Sequence, residues 1–130
     1  MDAQREQITH GLPIEDLFGY STGMRAGDLV YVAGQLARDK QGQQIPERDL
    51  PAKFGQVVAN ISSVLGRLGS SLADVVYVQI HVTRDVEDLG EIVPLCRAHF
   101  GAAAPAATIV PVNAVNDAGG RLEISAVATA

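Results

Sequence analysis

The segment from Asp74 to Thr83, DVVYVQIHVT, decides the fold because its residues alternate like a strand whose two faces differ in polarity. Side chains along a strand point in turn to opposite faces. Alternation places Val76, Val78, Ile80 and Val82 on one face and Val75, Tyr77, Gln79, His81 and Thr83 on the other. The first face is fully apolar, and the second is only half apolar. The segment is therefore predicted to be a strand that packs one face against a helical layer.

The sequence before this strand has the spacing of an amphipathic helix. Its apolar residues recur at steps of three and four and form one stripe: Leu50, Phe54, Val57, Val58, Ile61, Val64, Leu65 and Leu68. Asp49 stands at a plausible N-cap, Pro51 lies in the first turn, and Gly69 occupies a position that suits a left-handed stop. The pattern predicts a helix of about five turns.

The sequence after the strand predicts a second helix, with Asp85 as its cap. The residues expected to face inward are Val86, Leu89, Ile92, Val93, Cys96 and Phe100. Pro94 lies inside this stripe, where it must either remove a backbone hydrogen bond to about Gly90 or restart the helix. We therefore expect a kink at Pro94.

Four further segments complete the predicted sheet. Residues 27–35, GDLVYVAGQ, are apolar on both faces and are typical of a buried strand, and residues 20–27, YSTGMRAG, are expected to form the first arm of a hairpin with it. Residues 106–112 and 121–129 form the two final strands. The predicted fold is α+β in the order β-β-α-β-α-β-β, with a mixed sheet and both helices on one face. A length of 130 residues predicts a single domain over residues 1–130.

One layer of helices leaves the opposite face of this sheet without a cover. That face would carry Tyr77, Gln79 and His81, a set too apolar to stay fully hydrated and too polar for a monomer's core. Packing of sheet against sheet in a symmetric oligomer would resolve the imbalance. We therefore expect self-association, with His81 lining the assembly rather than acting as a catalyst.

Composition and charge disfavour several classes of function. With 15 acidic and 10 basic residues the formal net charge is -5, whereas a nucleic-acid-binding surface needs clustered Lys and Arg. Cys96 is the only cysteine, which excludes an intramolecular disulfide and fits a reducing compartment. His10 and His99 have no partner at metal-ligand spacing, so no metal is expected. Without a signal peptide or an apolar run long enough to span a membrane, we expect a cytoplasmic protein that binds neither nucleic acid nor membranes.

Four motifs together resemble one family. They are YSTGMRAGDLVYVAGQ at residues 20–35, DVVYVQIHV at residues 74–82, the turn APAA at residues 104–107, and LEISAVA at residues 122–128. In this order the chain resembles the RidA (YjgF/YER057c/UK114) family from about Ile8 to Thr129. The resemblance implies a chorismate-mutase-like fold, a homotrimer with a central barrel, and ligand clefts between neighbouring subunits. It also implies hydrolysis of reactive enamines and imines, with release of ammonia and without a metal or a cofactor.

The resemblance also implies which residues form the site. Tyr20 and Glu123 match the family's catalytic tyrosine and carboxylate, and Glu123 would direct the attacking water. The positions expected to contact a small-molecule ligand are Ala33, Gly34, Val93, Ala107 and Thr108.

Three of these positions depart from the family pattern. Ala107 replaces the arginine that holds a substrate carboxylate through two parallel hydrogen bonds. Ala33 replaces a hydroxyl residue, and Val93 replaces an asparagine. The site should therefore have lost its affinity for an α-carboxylate, and the substrate is expected to be an imine, enamine or related compound without one.

Two alternatives remain open at this stage. An arginine from elsewhere, namely Arg25, Arg38 or Arg121, could restore anion binding. The chain could also be a non-catalytic trimer that binds an apolar metabolite or a partner protein, because a fold alone does not fix a function. Ribonuclease action and chorismate-type chemistry are disfavoured, since both need cationic groups that the acidic chain does not cluster.

Overall fold

The computed structural model describes residues 4–45, 49–84, 89–116 and 120–130. The strands are β1 Arg5–Ile8, β2 Gly23–Ala26, β3 Leu29–Gln35, β4 Val75–Thr83, β5 Ala106–Val112 and β6 Leu122–Thr129; the helices are α1 Pro13–Phe18, α2 Leu50–Arg67 and α3 Ile92–Phe100. Single 3-10 turns at Leu72–Asp74 and Leu89–Glu91 precede β4 and α3.

The strands form one mixed sheet in the order β1-β2-β3-β6-β4-β5. Only β4 and β5 run parallel among the described pairs, and α3 supplies the crossover connection that a parallel pair needs. The predicted α+β fold with a mixed sheet is confirmed. The final two strands are not neighbours, because β4 lies between them.

The core lies between one face of the sheet and the helices α2 and α3. The stripe predicted for α2 is buried, and it packs against β-strand side chains such as Val30, Ile80 and Ile124 and against Phe100 of α3. Burial of each large aliphatic or aromatic side chain contributes about 1.5 to 3 kcal/mol. The helix begins directly after Asp49, and Gly69 beyond its end has a φ of +82°, as the sequence predicts. No described helix is both long and apolar enough to span a bilayer.

The predicted division of faces in β4 is wrong at its first two residues. Val75 is buried in the core, whereas Val76 is 44% exposed. The pairing with β6 shifts register between Val75 and Tyr77, so Val76 is the extra residue of a β-bulge. A bulge moves the side chains before it to the other face, which simple alternation does not anticipate.

The second helix also differs from its prediction. Pro94 does not kink a longer helix; a 3-10 turn ends at Glu91 and α3 restarts at Ile92, so Pro94 lies in the first turn, where its missing N–H is tolerated. Ile92 and Phe100 are buried as predicted, and Cys96 is half-buried. Val93 was predicted to face inward but is 61% exposed, because the restarted helix directs its core face through Ile92. The predicted cap Asp85, Val86 and the Leu89 side chain lie outside the described residues.

The N-terminal segment adds two elements that the sequence pattern does not predict, β1 and α1. Pro13 begins α1 and Glu15 stands at its third position, which is a recognisable helix-start signal. The Glu15 carboxylate is buried and accepts hydrogen bonds from the backbone N–H of Leu12 at 2.8 Å and of His10 at 2.9 and 3.0 Å. This carboxylate therefore fixes the start of the short helix.

The sheet face opposite α2 and α3, called the open face below, has no cover within the described chain. Leu29 and Tyr31 of β3 and Val76 of β4 are exposed there. The half-polar set predicted for this face is present, except that the bulge removes Val75 from it. His81 lies opposite Glu123 in the β4–β6 pairing, and its buried Nδ1 has no hydrogen-bond partner among the described residues.

Candidate functional site

Tyr20 is positioned by the end of α1. Gly19 closes the helix with a φ of +71°, a conformation that glycine adopts without steric cost, and the Tyr20 N–H donates to the Glu15 carbonyl at 3.0 Å. The Tyr20 side chain remains 43% exposed. Burial of its phenol raises the pKa of Tyr20 first, followed by the negative charges of Glu15 and Glu123. The phenol therefore stays protonated at neutral pH and is available as a hydrogen-bond donor.

Glu123 lies against the backbone of Gly34. A Cβ added to Gly34 would stand 2.6 Å from Cδ and 2.7 Å from Oε1 of Glu123, closer than real contacts allow. Only a glycine leaves room for the carboxylate in this position. Because Glu123 also raises the Tyr20 pKa, the two predicted catalytic residues share one neighbourhood with Gly34.

A second bulge shapes this neighbourhood. The β3–β6 pairing shifts register between Val32 and Gln35, so Ala33 and Gly34 occupy an irregular stretch of β3. The Gln35 side chain fixes that stretch by donating to the Ala33 carbonyl at 2.9 Å and to Thr22 Oγ1 at 3.0 Å. Gln35 is thus a positioning residue for the site, a role that its neighbours in sequence do not indicate.

His10 joins the same network. Its Nε2 is 3.0 Å from Gln35 Oε1, and because the Gln35 amide nitrogen already donates elsewhere, the oxygen accepts and His10 donates. The backbone N–H of His10 donates to Glu15. The chain before α1 is thereby tied to β3. His99 lies apart from this network and stacks on Phe54 with ring centroids 5.4 Å apart.

Ala107 lies elsewhere, in a cleft of about 190 Å³ between α3 and β5 on the helical side of the sheet. The walls include Val78, Cys96, Arg97, Phe100 and Pro105. Burial raises the pKa of the Cys96 thiol, so the thiol is neutral at pH 7. The cleft is mainly apolar around the methyl group of Ala107.

Thr108 and Val93 do not face the interior of this cleft. Thr108 pairs with Gln79 across the strands and lies on the open face, where its hydroxyl accepts a hydrogen bond from the Tyr77 hydroxyl at 3.1 Å. Val93 projects outward from α3 and is not among the residues that line the cleft.

The predicted site residues therefore fall into two groups within one chain. Tyr20 follows the end of α1, Gly34 belongs to β3 and Glu123 belongs to β6. Ala107 belongs to the edge strand β5. Three strand spacings, roughly 14 Å, separate Gly34 on β3 from β5, and two spacings, roughly 10 Å, separate Glu123 on β6 from β5. Glu123 pairs with His81 of the open face, whereas Ala107 pairs with Val78 of the buried face, so the two groups also lie on opposite faces of the sheet.

The three alternative arginines take part in hydrogen bonds with the backbone. Arg25 donates to the carbonyls of Gly27 and Leu68, and Arg38 donates to the Gly42 carbonyl. The Arg121 carbonyl accepts from the Thr83 N–H beside the start of β6. A fourth arginine, Arg97 of α3, is the one among the described residues that line the Ala107 cleft. Within the described ranges, no three His, Cys, Asp or Glu side chains lie close enough to hold a metal ion.

Comparison with known proteins gives consistent matches in sequence and fold. The family model described as Endoribonuclease L-PSP matches residues 13–130. A RutC family protein of Pyrococcus abyssi is 31% identical over 94 residues, which cover 72% of this chain and 73% of that protein. The crystal structure of a YjgF/YER057c/UK114 family member from Mycobacterium tuberculosis is 31% identical and has a TM-score of 0.82, covering 97% of this chain and 99% of that one. RidA from an Antarctic Psychrobacter species is 30% identical with a TM-score of 0.76, covering 85% and 88%.

Proposed function

Because this chain belongs to the RidA (YjgF/YER057c/UK114) family, we propose that it hydrolyses the C=N bond of an imine, an enamine or a related compound that lacks an α-carboxylate. Glu123 directs the attacking water in this proposal. The observation that carries it is the shared neighbourhood of Glu123 and Tyr20, in which the carboxylate lies on Gly34 and raises the pKa of the phenol.

The proposed chemistry needs only a proton acceptor and a proton donor. Water attacks the carbon of the C=N bond while the Glu123 carboxylate accepts one of its protons. The Tyr20 phenol donates a hydrogen bond to the substrate nitrogen. Glu123 passes the proton that it took from water to the nitrogen, which gives a carbinolamine. It then accepts the proton of the new hydroxyl group and returns it to the nitrogen, so that the C–N bond breaks and ammonia and a ketone or aldehyde are released. An enamine enters the same route after its carbon takes up a proton and it becomes the imine.

Two features support a substrate without an α-carboxylate. Ala107 offers a methyl group where the family resemblance expects an arginine, and the cleft around it is mainly apolar. Loss of a charge-assisted hydrogen bond weakens binding by about 1.5 to 3 kcal/mol, so α-carboxylate compounds should bind poorly. The acidic surface of the chain, with a net charge of -5, is poorly suited to the ribonuclease activity that the family model's description names.

The proposal includes a homotrimer in which each site lies between two chains. Tyr20 and Glu123 of one chain would face the Ala107 cleft of its neighbour. The wide separation of the two groups within a single chain supports this arrangement, as does the exposure of Tyr31 and Val76 on the open face. Light scattering should then give three times the mass of one chain.

Ammonia release tests the proposal. The wild type should release ammonia from imines of simple ketones, and Glu123→Gln should slow this by roughly a hundredfold or more, as expected for loss of general base catalysis. Glu91→Gln, which removes the same charge at the start of α3, is the matched control. In parallel, Ala107→Arg should gain activity on enamines formed from serine or threonine.

Equal rates for the wild type and Glu123→Gln on every compound tested would contradict the mechanism. A trimer that holds a neutral ligand for hours without consuming it would instead favour the non-catalytic binding protein of the same fold. A fast wild-type reaction with the serine- or threonine-derived enamines would overturn the expected selectivity against α-carboxylates.

A further inference from the structure

The Ala107 cleft has an apolar interior and one arginine in its wall. Among the described residues that line it, Arg97 is the one charged side chain, and the others include Val78, Phe100, Pro105 and the methyl group of Ala107. Such a cleft is suited to a ligand that has an apolar portion and a separate acidic group. The sequence departs from the family at Ala107, yet the structure brings another arginine to the same cleft.

The guanidinium of Arg97 is available for a ligand. Arg97 is exposed, and within the described chain its side chain has no hydrogen-bond or ion-pair partner. Its backbone carbonyl accepts from the Gly101 N–H at 3.0 Å, which anchors the residue at the end of α3. A planar guanidinium on a long stem binds a carboxylate through two parallel hydrogen bonds when one approaches.

The position of Arg97 differs from that of an arginine at residue 107. Residue 107 belongs to β5, at the sheet side of the cleft, whereas Arg97 belongs to α3 on the helical side. A carboxylate bound by Arg97 on α3 therefore lies at a different position from an α-carboxylate bound by an arginine at residue 107 on β5. The space around the Ala107 methyl group is left for apolar carbons of the ligand.

We propose that Arg97 makes this cleft bind the acidic end of a C=N compound whose carboxylate is separated from the reacting carbon by one or more methylene groups. The assignment of substrate class rests on the proposed function. In this assignment the cation beside the cleft comes from the helix, whereas the family resemblance expects it from the strand.

Binding of stable ketones, the products of the proposed reaction, tests the assignment without requiring turnover. The probes are levulinate, which carries a distant carboxylate, the neutral 2-pentanone, and pyruvate with its α-carboxylate. Dissociation constants are measured on the intact protein by NMR titration of the Ala107 and Cys96 amide signals. Levulinate should bind roughly five- to tenfold more tightly than 2-pentanone, as expected for one partly exposed charge-assisted contact, and also more tightly than pyruvate.

Arg97→Gln should remove the preference for levulinate over 2-pentanone, and Arg97→Lys should retain part of it. Arg5→Gln is the matched control, because it removes the same charge from β1 at the opposite edge of the sheet and should leave the preference intact. Circular dichroism and thermal unfolding of each variant confirm that the fold persists.

Equal affinity of the wild type for levulinate and 2-pentanone would overturn the assignment, as would a preference that persists in Arg97→Gln or an absence of binding by every probe. The result also separates the two proposals. Levulinate binding that depends on Arg97, in a protein that hydrolyses no imine, would leave this assignment standing while the proposed reaction fails. Hydrolysis that depends on Glu123, without any effect of Arg97 on binding, would support the proposed reaction and overturn the assignment of Arg97.

Discussion

At the scale of single residues, the Tyr20 phenol reports on its surroundings through its pKa. Burial, Glu15 and Glu123 all raise that pKa above its usual value of 10.0. A protein in which Tyr31 and Tyr77 are replaced by Phe retains Tyr20 as its sole tyrosine, since the chain contains three. A spectroscopic titration of its phenolate should give a midpoint above 10, and adding Glu123→Gln should lower that midpoint because one negative charge is removed.

Glu91→Gln in the same background is the control and should leave the midpoint in place. A midpoint that does not respond to Glu123→Gln would mean that the Tyr20 and Glu123 side chains are not neighbours.

The raised pKa of Tyr20 also makes the free energy of unfolding depend on pH. Because the folded-state pKa is raised, the contribution of Tyr20 to stability is present below about pH 10 and is lost as the pH rises through the folded-state pKa.

Gly34 is expected to affect the reaction indirectly, by leaving room for the Glu123 carboxyl group. In Gly34→Ala the added Cβ would overlap the Glu123 carboxyl group and displace it, so imine hydrolysis should fall by roughly a hundredfold. The free energy of unfolding should change by no more than about 1 kcal/mol, because Gly34 is exposed in the chain. Steady-state ammonia release and urea unfolding measure the two effects.

Gly55→Ala supplies the comparison for that substitution. No atom lies within 4 Å of the position that a Cβ on Gly55 would take, and the residue lies inside α2. This variant should keep full activity and gain about 0.5 to 1 kcal/mol of stability from helix propensity. Full activity in Gly34→Ala would show that the position of the Glu123 carboxylate does not matter for the reaction.

At the scale of elements, the end of α3 contains one strained residue. Ala104 has a φ of +48°, in the left-handed region, and its N–H donates to the Phe100 carbonyl at 3.0 Å. A left-handed conformation costs a residue with a Cβ roughly 1 to 2 kcal/mol, part of which glycine avoids. Ala104→Gly should therefore stabilise the protein by up to about 1 kcal/mol, measured by urea unfolding.

Ala102→Gly is the control for that measurement. Ala102 lies in the same turn, is exposed, and has no positive φ, so glycine there should be neutral or slightly destabilising. If Ala104→Gly destabilised the protein as much as Ala102→Gly, the turn would not hold Ala104 in the left-handed conformation.

Local sequence patterns predict some of the secondary-structure elements but not all of their details. The α2 stripe, the β2–β3 hairpin and the two final strands follow from periodicity and turn residues alone, because the spacing of apolar residues within each segment already distinguishes a helix from a strand. The bulge at Val76 and the exposure of Val93 do not follow. Both depend on register, one set by the pairing of β4 with β6 and the other by the restart of α3 at Pro94.

The candidate site divides in the same way. Tyr20 and Glu123 could be identified through motifs that resemble a family, and the structure brings them into one neighbourhood. Gln35 and Arg97 could not be assigned roles from their neighbours in sequence. The role of Gln35 depends on a hydrogen bond to Thr22, 13 residues away, and that of Arg97 on the packing of α3 beside β5.

At the scale of the whole molecule, the open face and the divided site lead to the same proposed assembly. Three exposed apolar side chains and an unsatisfied His81 Nδ1 lie on or beside a sheet face that has no helical cover in the described chain. Association of chains through this face would remove the apolar surface from water. The proposed trimer also requires Tyr20 and Glu123 of one chain to approach the Ala107 cleft of another.

Mixed trimers test whether each site draws on two chains. Glu123→Gln disables one group, and Ala107→Trp fills the cleft of the other, so each variant alone should be nearly inactive. If the two are unfolded together, mixed in equal amounts and refolded, about a quarter of the sites should combine an intact Glu123 from one chain with an intact cleft from its neighbour. Ammonia release should recover to about a quarter of the wild-type rate.

A second mixture distinguishes this complementation from incidental recovery on refolding. Glu123→Gln and Gly34→Ala both alter the same group of residues, so no interface in their mixed trimers has that group intact, and activity should stay at the level of the separate variants. Recovery in the first mixture alone requires that one reaction site be assembled from two chains. No recovery in either mixture, under conditions in which refolded wild type regains its activity, would mean that no reaction site is assembled from two chains.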